Sequence, residues 1–219
     1  MCLQRTTLTW FRNLACVIAL FSAVSFGQIT DKLNFSLGGG VSSPTNEAGQ
    51  DLHTGYNWDI NGGYNVNRHL SLNLDWGYQH WGLNDAALAR FQEPGGRTTV
   101  WSLTFNPVLH LNSRGKFDVY TTAGYGLYHS NLSLTEPFNE TFFVCDPFFG
   151  FCFPQTATVN EVVASFSTYK GGFNVGGGFS VPLLRSDRLR FFTEARYHRM
   201  FSSSGADITY VPVTFGIRW

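Results

Sequence analysis

The last eleven residues constrain this chain more than any other segment. Thr209, Val211, Val213, Phe215, Ile217 and Trp219 fall on one face of an extended strand, and Tyr210, Pro212, Thr214, Gly216 and Arg218 fall on the other. Side chains alternate sides along a strand, so a period of two means two unlike surroundings. One face is apolar and finishes on an aromatic ring. The other is small, polar or charged. A helical period of 3.6 would mix the two sets rather than separate them.

The same pattern recurs upstream. Leu70, Leu72, Leu74, Trp76 and Tyr78 alternate with Ser71, Asn73, Asp75 and Gln79, and Phe191, Ala195 and Tyr197 alternate with Arg190, Glu194, Arg196 and His198. Similar stretches start near Leu33, Tyr56, Trp101, Phe117 and Phe173. With the final strand, the sequence predicts eight strands of about 10 to 12 residues, each long enough to cross a bilayer at a tilt of ~45°. The connections alternate as well. Asn67-Arg68, Asn112 to Gly115 and Arg185 to Arg188 are short, whereas Val41 to Thr54, Gly82 to Arg97, Ser133 to Ser167 and Ser202 to Asp207 are generally longer. Short turns on one side and longer loops on the other describe a transmembrane barrel, with the short side periplasmic. The predicted fold is therefore all-β, an eight-stranded antiparallel up-and-down transmembrane β-barrel.

A soluble β-sandwich also alternates, and composition separates the two. Aromatics reach 16% and charged residues only 14%, against roughly 25% charged in ordinary proteins. Tyr56, Trp58, Trp76, Tyr78, Trp101, Tyr125 and Trp219 sit on the apolar face near strand ends. The opposite face carries Gly, Asn and Ser beside charges. That surface is a poor exterior for a sandwich and a good lining for a narrow barrel. Net charge is zero, so no basic face is available for nucleic acid.

Residues 1–27 read as a cleaved secretory signal. Arg5 and Arg12 precede an apolar run from Leu14 to Phe26, shorter than the ~20 residues a spanning helix needs. Ser25 and Gly27 supply small residues for cleavage before Gln28, leaving 28–219 as the barrel domain. Cys16 raises a lipoprotein reading, but the apolar run continues past it without a polar linker. Cys2 and Cys16 leave with the leader. Cys145 and Cys152 remain close together in one Phe-rich segment, where an oxidising compartment favours a disulfide. No His accompanies them, and neither a metal site nor a cofactor is expected.

Parity turns most of the charges inward. Asp59, Asp75, Asp118 and Glu194 face Lys170, Arg190, Arg196 and Arg218 across an eight-stranded lumen just wide enough for side chains to fill. Unpaired buried charges are costly, so these groups are expected to form a polar core that plugs the lumen. A gated ion or solute path through them is the second reading. The segment from 137 to 154 is the least ordinary. Phe142, Phe143, Phe148, Phe149, Phe151 and Phe153 crowd it, with Pro137, Pro147 and Pro154. An exposed aromatic patch marks a contact site for a hydrophobic ligand, lipopolysaccharide or a partner surface. Alternatively the segment folds over the barrel mouth and buries its rings.

Together, the leader, the eight alternating strands, the segment from Glu194 to His198 and the final Tyr-Val-Pro-Val-Thr-Phe-Gly-Ile-Arg-Trp resemble the outer-membrane β-barrel domain family, the group of small OmpA-, OmpX- and OmpW-like barrels. The resemblance implies an integral protein of the bacterial outer membrane, in contact with outer-membrane lipid and lipopolysaccharide. It also implies that Phe215, Ile217 and Trp219 form the terminal signal read by the barrel-assembly machinery. Lipid A deacylases, which are also eight-stranded barrels, carry a His and a Ser two residues apart on one strand. Here Met200 stands where that Ser would follow His198, and His198 shares parity with the inward charges. Ser202, Ser203 and Ser204 lie just beyond, yet the expected role of His198 is in the polar core. No catalytic residue is assigned. The expected function is a monomeric, non-enzymatic barrel with a structural or surface-interaction role. A porin-like transporter of ions or small hydrophobic solutes is second, and a lipid-modifying membrane enzyme third.

Overall fold

The computed structural model describes residues 32–112, 117–148, 150–183, 188–202 and 207–219. The expected leader with Cys2 and Cys16, parts of two predicted turns, Phe149, Ser203 and Ser204 lie outside the described residues. Eight antiparallel strands close into one barrel in sequence order. They are β1 (Leu33–Thr45), β2 (Gly55–Asn65), β3 (Leu70–Gly82), β4 (Gly95–His110), β5 (Asp118–Cys145), β6 (Cys152–Pro182), β7 (Arg190–Met200) and β8 (Ile208–Arg218). β8 pairs with β1 from Ser36–Arg218 to Thr45–Thr209, which joins the two ends of the sheet. Closure satisfies the backbone groups within the wall, which lipid cannot do.

The two-residue period sorts most side chains as the alternation predicts; Thr209, expected on the outward face, is instead buried and donates to the Thr45 carbonyl at 3.0 Å. Tyr210, Pro212 and Thr214 are buried, whereas Phe215, Ile217 and Trp219 are exposed. On β7, Phe192, Glu194, His198 and Met200 are buried while Ala195 and Arg199 are exposed. β7 and β8 each hold 11 residues. At ~3.3 Å per residue and a tilt of ~45°, that length matches an apolar band of about 25 Å.

Two expected loops contain short helices, α1 (Asn46–Asp51) and α2 (Asp85–Phe91). Asn84 starts α2 by accepting a hydrogen bond from the Ala87 N–H at 2.9 Å, and Gln92 ends it in the left-handed region, φ 58°. Leu83, Ala87 and Leu134 are buried together with Leu52 packed on them. Arg90 pairs with Asp51, and the Asn84 N–H donates to the Asp51 carbonyl at 2.9 Å. The two connections are thus tied to one another at the extracellular rim.

The expected loop from Ser133 to Ser167 is instead a hairpin. β5 runs for 28 residues and β6 for 31. β4 follows β5 only to Thr135, and β7 follows β6 only from Gly172. Beyond those points β5 and β6 pair with each other as far as Cys145–Cys152, and a register shift at Leu134/Thr135 marks the departure. Ten residues of β5 at ~3.3 Å each give the hairpin about 33 Å of strand length past the last β4 pair. The reason lies in residues 155–169, rich in Thr, Val, Phe and Tyr, which favour extended backbone. Pro137 and Pro154 are accommodated because each strand of a two-stranded ribbon is an edge.

Candidate functional site

The lumen is built in layers by inward residues of all eight strands. Near the periplasmic end, the Arg218 guanidinium lies 4.7 Å from the Tyr120 ring centroid and 5.2 Å from that of Phe192. Two glycines make room for this cage. A Cβ on Gly178 would stand 2.8 Å from the Tyr120 hydroxyl, and one on Gly216 would stand 2.7 Å from the Phe192 ring. Asp118 pairs with His110 Nδ1 at 2.8 Å, and His110 Nε2 lies 3.2 Å from Ser71 Oγ. Arg190 donates through Nε and Nη2 to Oγ and the carbonyl of Ser180, each at 3.0 Å.

The middle layer is organised by Arg196. From β7 it reaches across the lumen to Asp75 on β3 through Nη1, while Nε lies against Glu194 Oε1. Asn61 donates to Asp75 Oδ1, and Asn106 donates to Asp75 Oδ2 at 2.7 Å. Asp75 and Glu194 are both buried, and this pairing answers the cost of placing carboxylates away from bulk water. Asp59 lines the same space with Asn57, Gln79 and His198. About 30 Å³ remains open there, room for about two waters at ~10–15 Å³ each.

Above this layer the lumen becomes aromatic. His198 stacks on Tyr210 at 4.8 Å and 9°, and its Nδ1 lies 3.0 Å from the Tyr128 hydroxyl. Trp81 packs edge-on to Tyr210 at 5.0 Å and donates from Nε1 to the Ser42 carbonyl at 3.1 Å. Val100 and Met200 complete the cluster. At the extracellular rim, Lys170 donates to Ser202 Oγ at 3.0 Å. Asp207 accepts from the Ser202 N–H and from Arg199, each at 2.7 Å, and these donors hold its carboxyl below the usual carboxylate range.

Of the inward residues singled out from sequence, Asp75, Glu194, Arg196, Asp59 and His198 meet in one place. Asp118, Arg190, Lys170 and Arg218 do not; they occupy other depths with other partners. His110, Trp81, Tyr128, Tyr210, Asn61 and Asn106 were not candidates from sequence, although each shares the inward parity of its strand.

The second candidate surface is the hairpin tip. Cys145 and Cys152 form a disulfide. Around it Phe142, Phe143, Phe148, Phe151 and Phe153 are exposed, Phe148 at 91%. The alternative in which the segment buries these rings over the mouth is not what the structure has, because all five stay exposed. Outward on β2, β3 and β4, Trp58, Trp76, Tyr78 and Trp101 form a ring cluster with centroids 4.5 to 5.6 Å apart.

Comparison with known proteins agrees with this architecture. The family model described as "Outer membrane protein beta-barrel domain" matches residues 14–218. Neisserial surface protein A is similar in structure, with a TM-score of 0.56 at 14% identity over 85% of this chain and 95% of that one. A major outer membrane protein from Thermus thermophilus aligns with a TM-score of 0.53 at 12% identity, over 85% of this chain and 98% of that one. At these identities the likeness is one of fold. No curated protein matches the sequence.

Proposed function

The chain belongs to the outer membrane protein beta-barrel domain family, and on that premise we propose that it is a non-enzymatic scaffold with a closed lumen that displays the β5–β6 hairpin for surface contact. It is an integral protein of the bacterial outer membrane. The observation that carries the proposal is the hairpin itself, a two-stranded ribbon with about 33 Å of strand length past the last β4 pair and with exposed aromatic rings around a disulfide. Burying such a patch gains about 25 cal/mol per Å² of apolar surface, so it favours contact with another apolar surface over water. The closed lumen is supported by the Arg196 bridge to Asp75 and Glu194 and by the Trp81–Tyr210–His198 layer above it. Transport of ions or small solutes, the competing reading, needs a wider path than the space beside Arg196 offers. Among the described residues His198 is held by the Tyr128 hydroxyl and the Tyr210 ring, a setting that favours a role in the lumen core over lipid hydrolysis.

The outward Trp58–Trp76–Tyr78–Trp101 cluster suits contact with outer-membrane lipid, lipopolysaccharide included, because aromatic girdles sit at the interface. Trp219 suits the terminal assembly signal. Its backbone exchanges two hydrogen bonds with Phe35 at 2.9 Å, and its ring lies 6.2 Å from that of Phe35. The contact role is tested by adsorption of cells producing the protein to a hexadecane–water interface. Replacing Phe143 and Phe148 together by Ser should lower adsorption at equal surface levels. Equal adsorption by wild type and variant overturns the contact role.

A further inference from the structure

We propose that one face of the β5–β6 hairpin is a docking surface for a basic protein, one that presents Lys or Arg side chains interleaved with apolar ones. The inference rests on the hairpin's role in surface contact, and adds the face used and the charge of the partner.

Pairing gives the ribbon two unlike faces. Residues opposite one another across a strand pair point the same way, and successive residues of a strand point opposite ways. One face runs Glu136, Phe138, Glu140 and Phe142 along β5, with Glu161 and Val159 of β6 opposite the first two. All six are exposed. Away from the tip the other face is polar and self-satisfied. Thr158 Oγ1 donates to Asn139 Oδ1 at 2.8 Å, and the Thr141 and Thr156 hydroxyl oxygens lie 3.3 Å apart. Charge then narrows the partner of the first face. Residues 117–169 contain no Lys or Arg, so the ribbon supplies no cation for its own acids. Among the described residues none of the Glu136, Glu140 and Glu161 carboxylates has an ion-pair partner. Glu136 and Glu161 stand directly opposite each other, and like charges so placed destabilise a strand pair. A cation laid between them removes that cost.

The alternation of carboxylate and ring supplies the rest. On this face each side chain of β5 stands about 7 Å from the next, at ~3.3 Å per residue. A purely apolar partner would bury the carboxylates unpaired, which is costly. A purely cationic one would leave Phe138 and Phe142 in water, without the gain from burying them. A surface carrying both kinds of group answers both, and a Lys or Arg set over a Phe ring is attracted by the ring itself. A second copy of this chain, docked face to face, would bring like carboxylates together. Anionic lipid headgroups would be repelled in the same way. Neither suits this face.

The test uses the full barrel in nanodiscs of zwitterionic lipid, with empty nanodiscs as the reference, and short synthetic peptides as probes in surface plasmon resonance. One peptide alternates Lys and Phe, a second Lys and Ser, a third Glu and Phe. The Lys–Phe peptide should bind saturably, and each of the others at least about tenfold more weakly. Glu136→Gln, Glu140→Gln and Glu161→Gln together should weaken the Lys–Phe peptide by about tenfold. Asn139→Ser with Thr156→Ser, on the polar face, should leave it unchanged. Equal binding of the Glu–Phe peptide, or undiminished binding by the Gln variant, overturns the basic partner. Should the Gln variant fail to refold, the wild type decides the matter by its salt dependence: added NaCl should weaken the Lys–Phe peptide, and binding indifferent to salt overturns the proposal. The two readings fail separately. If no peptide binds while adsorption to hexadecane still depends on Phe143 and Phe148, the basic partner alone is removed; if that dependence is absent too, the contact role beneath it is removed.

Discussion

Tyr128 and Phe143 lie on the same strand, β5, yet Tyr128 is fully buried in the lumen and Phe143 is 70% exposed. The first has the ring of His198 edge-on at 5.9 Å and its Nδ1 at 3.0 Å from the hydroxyl. The second stands on a ribbon beyond the pairing of β4. Both regions are extended and paired to β6, but Tyr128 also pairs with Ser102 of β4 whereas Phe143 has Pro154 of β6 as its one partner. They differ in what lies beside the ribbon. Inside the barrel, seven other strands surround each inward side chain, so a polar group finds partners and an aromatic one finds rings. In the hairpin both faces are open, so the chain buries little apolar surface of its own. The barrel is therefore the source of stability, and the hairpin is the element free to commit its apolar surface to a partner.

Changes to the lumen should accordingly cost the fold, and changes to the hairpin should not. The largest effect is expected from Arg196→Met. It strands Asp75 and Glu194 without their shared cation, and removing one partner of a buried ion pair costs about 3–5 kcal/mol. Urea unfolding of the refolded barrel measures this, and a loss under ~1 kcal/mol would mean that water reaches the pair. A smaller effect is expected from Gly178→Leu, which drives a side chain into the Thr193 carbonyl as well as Tyr120 and disturbs the cage around Arg218. Overpacking of this kind costs about 1–3 kcal/mol. The smallest is expected from replacing Cys145 and Cys152 together by Ser. Barrel stability should stay within about 0.5 kcal/mol of the wild type, while limited proteolysis should cut faster between residues 136 and 163. A substantial loss of barrel stability in the double Ser variant would join the two regions that the comparison separates.

How far the sequence reaches follows the same division. Inside and outside were legible because strand parity is local: Arg218 and Trp219 are adjacent and face opposite ways whatever the rest of the chain does. Pairing in the lumen was not, because parity gives direction without depth or opposing strand. Arg196 and Asp75 are 121 residues apart in sequence, and nothing near either one names the other. The aromatic layer was obscured by its residue type. Trp81 shares parity with Asp75 and Gln79, but a Trp in a membrane strand is more readily assigned to lipid. The long hairpin was hidden by Pro137, Pro147 and Pro154, which suggest a loop, whereas the Thr- and Val-rich stretch from 155 to 169 favours extended structure.

The central claim is that the lumen is closed and that the hairpin, rather than a pore, is the working part. Single-channel recording of the wild-type protein in planar bilayers tests it most directly. The account predicts no discrete openings above the bare-membrane background in concentrated KCl. Stable, stepwise channels formed by the wild type would contradict it.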